Sequence, residues 1–271
     1  MTTAVLSAQP ELALQVRLLG NETAKGLRLA WHRKGMVAVG VILGALNYLG
    51  ISLFIGGGHV VEELMALTLP GLLAVVVAQA VAIDGSGGIA EEINGGTLEQ
   101  TQLSPASPYL QVLGRLAALG VVGLVTATPL AIAFTVVFDL GYGWHITALV
   151  PAALTVLDAL GYGLLIIAFT IRVASIGAIT HVFNMVIMLF GGMLVPVTTF
   201  PDGVEIFTHF VPTALGVQAL NTTMTTGGLA ASWSDGTLPW LLVHTTVLFA
   251  GGLAGYAATL RRAKREGALS P

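Results

Sequence analysis

The chain has 271 residues, of which only 9% are charged and 55% are hydrophobic. An ordinary soluble domain carries about 25% charged residues, so this class is excluded. Fourteen acidic residues against eleven basic ones leave a net charge of -3, which is not typical of nucleic-acid binding. The chain has no cysteine, so disulfides, thiolate metal sites and cysteine nucleophiles are excluded as well.

Six stretches of the chain are uncharged or nearly so over 20 residues or more. About 20 such residues are needed for a helix to cross the hydrocarbon core of a bilayer. Backbone groups inside a membrane must be satisfied within their own segment, so we predict an all-α integral membrane protein. The predicted transmembrane helices are residues 36–55, 64–83, 116–138, 146–171, 173–197 and 238–260.

The basic residues predict the orientation of these spans. All eleven Lys and Arg residues lie before the first span, after the sixth, or in the connections that follow the second and fourth spans. The other connections, residues 56–63, 139–145 and 198–237, carry acidic charges but no Lys or Arg. Basic residues near span ends are retained on the cytoplasmic side. We therefore predict a multi-pass protein of the cell membrane with both termini cytoplasmic.

Residues 1–35 precede the first span, and residues 261–271 form a basic cytoplasmic tail. Apolar residues from Leu12 to Ala30 recur at helical spacing, with basic residues on the remaining surface. This pattern predicts an amphipathic interfacial helix along the membrane surface, although a merely solvated leader would also fit.

The connection at residues 84–115 is expected to be folded. Gly95 and Gly96 are expected to end a helix that begins near Ile89, and Thr97 begins a second short helix with a capping box. The connection has a net charge of -3, which suits docking onto a cytosolic partner. An ordinary solvated connection explains the same charges equally well.

Two motifs in the chain resemble those of a known family of membrane proteins. The sequence Glu91-Glu92-x-x-x-Gly96-Thr97-Leu98-Glu99, followed by Leu103-Ser104-Pro105, resembles the transmembrane subunit of a type-2 ABC transporter of the exporter class, similar to bacterial drug and lipid efflux permeases. Gly191 to Pro196, with Phe200-Pro201 and Val211-Pro212, resembles the end of span five and the extracellular re-entrant helical hairpin of that family.

The resemblance implies that residues 84–115 hold the coupling helix that contacts a separate ABC ATPase subunit. The chain has no Gly-x-x-x-x-Gly-Lys-Ser/Thr loop, so we expect no cofactor in this chain and ATP and Mg bound by the ATPase. A second copy of this permease, or a related one, is also expected. The implied contact positions are Glu91, Glu92, Thr97, Leu98 and Glu99.

Residues 198–237 are too apolar for a flexible loop, so we predict helices that dip into the outer leaflet and break at Pro212. The resemblance makes this segment a candidate extracellular gate. The candidate gate residues are Pro196, Phe200, Pro201, Phe210 and Pro212.

Asp158 lies in the middle of the fourth span, where a carboxylate costs about 2.5–3.5 kcal/mol. His181 and Asn184 share a helical face and are its expected partners, with His244 a less constrained third. Asp158, His181 and Asn184 are candidates for a translocation path, while a hydrogen bond that ties spans together is the alternative for Asp158.

These observations predict an ATP-driven exporter subunit that is not itself an enzyme. Only 7% of the chain is aromatic, which favours a hydrophobic or amphiphilic substrate, drug-like or lipid-like, over long sugar chains. The alternative is a transporter driven by an ion gradient, with Asp158 and His181 as a proton relay. An intramembrane enzyme is disfavoured because neither Glu-x-x-His nor His-Glu-x-x-His occurs.

Overall fold

The computed structural model describes residues 11–102, 107–143, 145–173 and 177–266. Within these ranges all regular structure is helical, which confirms the predicted all-α class. A π-helical segment, Ala80–Asp84, and two 3₁₀ turns, Ile146–Ala148 and Val197–Thr199, connect the α-helices. The α-helices are α1 (Glu11–His32), α2 (Lys34–Ile55), α3 (Glu62–Gln79), α4 (Gly85–Asn94), α5 (Thr97–Gln102), α6 (Pro108–Val137), α7 (Leu149–Arg172), α8 (Gly177–Phe190), α9 (Asp202–Thr208), α10 (Ala214–Thr226), α11 (Leu229–Ser234) and α12 (Thr237–Glu266).

Five described helical segments are long and apolar enough to cross a membrane, and a shorter apolar helix, Thr180–Phe190, occupies the fifth predicted span. That span was predicted over residues 173–197, but its helix ends at Phe190. Gly192 follows with a φ of +86°, a conformation that residues with a Cβ rarely adopt. The glycine pair before Met193 therefore ends the helix early.

The helix that contains the second predicted span continues beyond residue 83. α3 runs through the π-helical segment into α4, and together they cover Glu62–Asn94. The expectation of a helix beginning near Ile89 is therefore wrong at its start. A Cβ on Gly85 would lie 3.1 Å from Ile167 and 3.3 Å from Leu119, so the glycine allows close packing onto α7 and α6. Close packing holds the glycine-rich turn in a helix.

The other predicted boundaries of this connection agree with the structure. α4 ends at Asn94, Gly96 has a φ of +64°, and α5 begins at Thr97. α6 begins with Pro108 in its first turn, where the missing N–H costs no hydrogen bond. The Leu103-Ser104-Pro105 motif lies outside the described residues.

Two apolar clusters mark opposite ends of the helix bundle. One end gathers α4, α5, the start of α6, and the last turns of α7 and α12. The other gathers α10 and the start of α12 around Leu215 and Leu241. Arg115, Arg172 and Arg261 each adjoin in sequence a member of the first cluster, so basic residues collect at that end. The first cluster includes Ile89, Ile93, Leu98, Leu116, Ile171 and Leu260.

α1 packs along the first turns of α6. A Cβ on Gly26 would collide with the Cβ of Ala118. A Cβ on Gly114 would likewise collide with the Cβ of Glu22. Trp31 on the other side of α1 is 70% exposed. The exposed apolar surface fits the predicted amphipathic helix, whose place at the membrane surface stays a prediction.

α7 and α12 form a close helix pair. A Cβ on Gly252 would lie 3.0 Å from Leu164 and 3.1 Å from the carbonyl oxygen of Gly161, while one on Gly251 would meet nothing within 4 Å. The small residue at position 252 therefore lets the two backbones approach, as small residues do in membrane helix pairs.

Pro70 inside α3 creates an anchor for the opposite end of the bundle. Proline has no N–H, so the carbonyl of Ala66 has no helical donor. The hydroxyl of Tyr142 donates to this oxygen at 2.7 Å. One residue further on, the carbonyl of Leu67 accepts a hydrogen bond from the side-chain nitrogen of Asn221 at 2.8 Å. These bonds join α3 to the connection after α6 and to α10.

Replacing Tyr142 with Phe should leave the Ala66 carbonyl unpaired and lower the free energy of unfolding by about 1–3 kcal/mol. In a Pro70→Ala background the new N–H supplies the helical hydrogen bond, so the same change should cost clearly less. Unfolding of the purified protein in detergent would measure both. An equal loss in the two backgrounds would contradict this role of Tyr142.

Candidate functional site

The α4–α5 segment carries the five positions at which the resemblance implies ATPase contact. Glu91 and Thr97 are exposed. Glu92 forms an ion pair with Arg115 at the start of α6, and Leu98 is only 2% exposed within the apolar cluster at that end. The side chain of Glu99 lies outside the described part of the structure. Of the implied contact positions whose side chains are described, Glu91 and Thr97 are therefore the exposed ones, and Glu92 and Leu98 attach the segment to the bundle.

This segment is firmly attached to the membrane helices. Ile89 and Ile93 of α4 are 3% and 9% exposed and contact the cluster that includes α6, α7 and α12. α4 continues α3 through the π-helical segment, so the two belong to one continuous helical stretch, Glu62–Asn94.

Asp158 is completely buried and joins three elements. Its Oδ2 accepts the backbone N–H of Thr213 at 2.9 Å, between α9 and α10. Its Oδ1 lies 2.8 Å from Nδ1 of His244 and accepts the hydroxyl of Thr245 at 3.4 Å, both on α12. Several hydrogen bonds offset the cost of burying a carboxylate.

The Thr213 contact holds an unusual turn. α9 ends at Thr208 and α10 begins at Ala214, so the predicted break at Pro212 is present. Thr213 has a φ of +74°, in the left-handed region that β-branched residues rarely adopt. Such strain persists only when surrounding contacts hold it, and the bond to Asp158 is one of them.

The expected partners of Asp158 are wrong in part. His181 is exposed, and Asn184 is 5% exposed with neither side-chain nitrogen nor side-chain oxygen hydrogen-bonded within the described residues. His244, the less constrained candidate, makes the contact because α12 packs along α7. Residues 158 and 244 are 86 positions apart, so no local pattern in the sequence signals the pair.

The candidate gate residues do not form one group. Phe200 lies 5.8 Å from Phe190 between ring centres, and Phe207 meets Phe190 edge-on at 5.3 Å. Phe210 is 73% exposed, apart from this contact. Pro196 is buried before a 3₁₀ turn, Pro201 is exposed at the start of α9, and Pro212 is half-buried. No local sequence pattern pointed to Phe190 and Phe207, whose contact places α9 against the end of α8.

A cavity of about 890 Å³ lies between α1, α2, α3 and α6, and we call it the α2–α3 cavity. Charged side chains line the end near α4, and apolar side chains such as Leu72, Val75 and Met188 line its depth. Sequence analysis gave no sign of this cavity, because it depends on the spacing between helices.

The helices and the anchored α4–α5 segment define a multi-pass membrane protein with a folded connection after its second span. The family model described as "ABC-2 family transporter protein" matches residues 38–260. The chain therefore belongs to the ABC-2 transporter family, which confirms the resemblance to a type-2 ABC permease. A comparison with curated proteins finds no match. Membership makes the chain a membrane subunit for transport that is not itself catalytic.

Two substitutions separate the possible roles of Asp158. Leucine should destabilise the protein by about 1–3 kcal/mol for each buried donor left unpaired. Asparagine can accept from Thr213 and donate to neutral His244, so its variant should remain within about 1 kcal/mol of the parent and keep transport activity. Thermal unfolding and transport assays would measure these effects. A stable Asn variant without transport would instead indicate that the charge itself is required.

Proposed function

We propose that this chain is the membrane-spanning subunit of an ATP-driven ABC exporter that moves a hydrophobic or amphiphilic substrate, drug-like or lipid-like. The observation that carries the proposal is the exposed Glu91 on α4, which continues α3, together with the exposed Thr97 at the start of α5. Family membership supports a separate ATPase partner. In this proposal that ATPase binds ATP and Mg, and both chain termini are cytoplasmic.

The proposed coupling begins at the exposed surface. Closure of the ATPase pushes Glu91 and Thr97, and the Glu92–Arg115 ion pair and Leu98 pass the displacement to α6 and the apolar cluster. Two copies of this chain, or one copy and a relative, enclose the path. Binding of ATP and binding of substrate are then coupled, because both favour the same arrangement of the helices.

The proposed outer gate is the segment between α8 and α12. Phe190, Phe200 and Phe207 form an aromatic contact there, and Asp158 ties the following turn to α7 and α12. A tilt of α7 or α12 would therefore move the turn that Asp158 holds, and with it the gate. Pro196, Pro201, Phe210 and Pro212 lie along the same segment, so their gating role stays part of this proposal.

A transporter driven by an ion gradient finds less support. That mechanism was predicted to use Asp158 and His181 as a proton relay. The carboxylate is instead bonded to Thr213, His244 and Thr245, and His181 is exposed. Transport by this chain alone in liposomes under a proton gradient would contradict the proposed ATP-driven mechanism.

Charge reversal of Glu91 tests the coupling surface. With the ABC ATPase co-expressed, Glu91→Lys should lower substrate-stimulated ATP hydrolysis and transport about fivefold, because a repulsive contact replaces an attractive one. The matched control is Glu62→Lys, an exposed acid in the first turn of α3, near the opposite end of the bundle and outside the proposed gate, which should leave the rate unchanged. Membrane insertion and thermal stability should stay normal in both variants. Wild-type rates for Glu91→Lys would remove the coupling role from this surface.

A further inference from the structure

Only one side of α1 packs against α6. Gly26 marks this side, because a Cβ there would collide with the Cβ of Ala118 on α6. Glu22 lies on the same side, against Gly114. Over residues 13–32 no side chain is fully buried, and most of the exposed side chains lie on the other sides of the helix. The remaining surface of α1 is therefore open to a partner.

Two strips of side chains run along this open surface. Residues three or four positions apart lie on one side of a helix, and each residue advances the direction by about 100°. At this spacing the two strips adjoin each other, and both point away from Gly26 and α6. The apolar strip consists of Val16, Gly20, Ala24, Leu27 and Trp31, and the basic strip consists of Arg17, Asn21, Lys25, Arg28 and His32.

Both strips are accessible along their length. Every member of the basic strip is exposed. Val16 and Trp31, at the two ends of the apolar strip, are 62% and 70% exposed. Leu14 and Leu29 are exposed as well and lie beside the basic strip. Cations and apolar side chains therefore share one open surface.

Few acids are available to neutralise the basic strip. Lys25 lies 3.9 Å from Glu22. Arg17 and Arg28 form no ion pair within 4.0 Å among the described residues. Glu11 is the other acid of α1, and its side chain lies outside the described part of the structure. The guanidinium groups of Arg17 and Arg28 are thus available to an anionic partner.

The two cations that follow the basic strip have other neighbours. Arg33 lines the α2–α3 cavity, where the acids Asp84 and Glu91 also lie, and it acts electrostatically on Asp84. Lys34 begins α2 and lies 5.2 Å from the ring centre of Trp31. This contact joins the end of the apolar strip to the start of the helix that contains the first predicted span.

Two observations favour a lipid leaflet over an acidic protein as the partner of this surface. α1 leads directly into α2, which is long and apolar enough to cross a membrane, so the end of α1 lies where that span leaves the bilayer. Tryptophan concentrates at this boundary in membrane proteins. An acidic protein surface would neutralise the basic strip but leave Val16 and Trp31 in water, whereas a leaflet accepts apolar side chains beside its head groups.

We propose that the basic strip of α1 binds the phosphate groups of anionic phospholipids, while the apolar strip inserts between the head groups of the same leaflet. Phosphatidylglycerol suits this surface, because its head group carries no cation. Phosphatidylcholine has the same phosphate, but its choline cation would meet Arg17 and Arg28. The proposal does not depend on the proposed transport function, since it concerns only α1 and the lipid.

Two photoactivatable phospholipid probes test the charge preference, phosphatidylglycerol and phosphatidylcholine with the same acyl chains. The purified chain in lipid nanodiscs is labelled with each, and mass spectrometry quantifies the label on residues 11–32. The phosphatidylglycerol probe should label this segment about fivefold more than the phosphatidylcholine probe. Equal labelling, or preference for phosphatidylcholine, would overturn the proposal.

A triple substitution assigns the preference to the basic strip. The basic-strip variant combines Arg17→Gln, Lys25→Gln and Arg28→Gln. The control variant removes three exposed cations of α12 at the same end of the bundle, through Arg261→Gln, Lys264→Gln and Arg265→Gln. The basic-strip variant should label about equally with the two probes, and the control variant should keep the preference. An equal loss in both variants would show a general attraction to positive charge and would overturn the site.

Single substitutions keep the test available if the triple variant misfolds. Arg17→Gln and Arg28→Gln should each lose part of the preference, because each removes one cation that has no ion pair. A full preference in both single variants would overturn the assignment of these residues.

Trp31→Ala tests the apolar strip separately. It should lower labelling of residues 11–32 by both probes at least about twofold and leave their ratio unchanged, because it removes apolar contact without changing a charge. The matched control is Trp233→Ala on α11, which removes a 59% exposed tryptophan at the opposite end of the bundle and should change neither quantity. Unchanged labelling of Trp31→Ala would overturn the insertion of the apolar strip.

The same variants separate a lipid partner from a protein partner. If the ABC ATPase held the basic strip, the basic-strip variant would fail to copurify with the ATPase and the parent would show no lipid preference, which would overturn the proposal. Normal copurification of that variant, together with the loss of its lipid preference, would support the proposal. The labelling assays contain no ATPase, so their outcome is distinguishable from the outcome of the Glu91 coupling test.

Discussion

The hydrogen bonds of Asp158 join α7, the turn before α10 and α12 through one buried carboxylate. The carboxylate lies on α7, receives Thr213 from the turn before α10, and contacts His244 and Thr245 on α12. Burial of this group is tolerated because several donors surround it. The turn at Thr213, with its left-handed backbone, is held in part by this contact.

The same requirement for satisfied polar groups explains the other anchor of that end. Pro70 removes a donor within α3, and Tyr142 supplies one from the connection after α6. A proline that would weaken an isolated helix thus becomes an attachment point between elements. At the opposite end the Glu92–Arg115 ion pair and the buried Leu98 hold the α4–α5 segment. Polar contacts therefore hold the connecting segments at each end of the bundle, and α3, α7 and α12 run between the two ends.

Local patterns in the sequence predicted much of this fold. The apolar stretches predicted the all-α class, and Gly95, Thr97 and Pro212 marked helix ends, because glycine, proline and capping residues act within one turn. The continuation of α3 into α4 was missed, because packing of Gly85 against other helices overrode its local preference.

Most of the candidate site depends on contacts between distant segments. The partners of Asp158, the Phe190–Phe207 contact and the α2–α3 cavity arise where helices far apart in sequence meet, and hydrophobic periodicity carries no information about such pairs. The sequence also could not distinguish Glu91 from Glu92. The structure shows that Glu91 is exposed, whereas Glu92 is paired with Arg115.

The central claim is that the exposed surface of the α4–α5 segment receives a separate ATPase. Since the chain has no cysteine, Glu91→Cys introduces a single thiol that can be cross-linked within an assembled complex. We expect a cross-link from residue 91 to the ATPase whose yield changes when ATP is added, and none from Asp202→Cys on α9. A cross-link from residue 202, or none from residue 91 in an active complex, would contradict it.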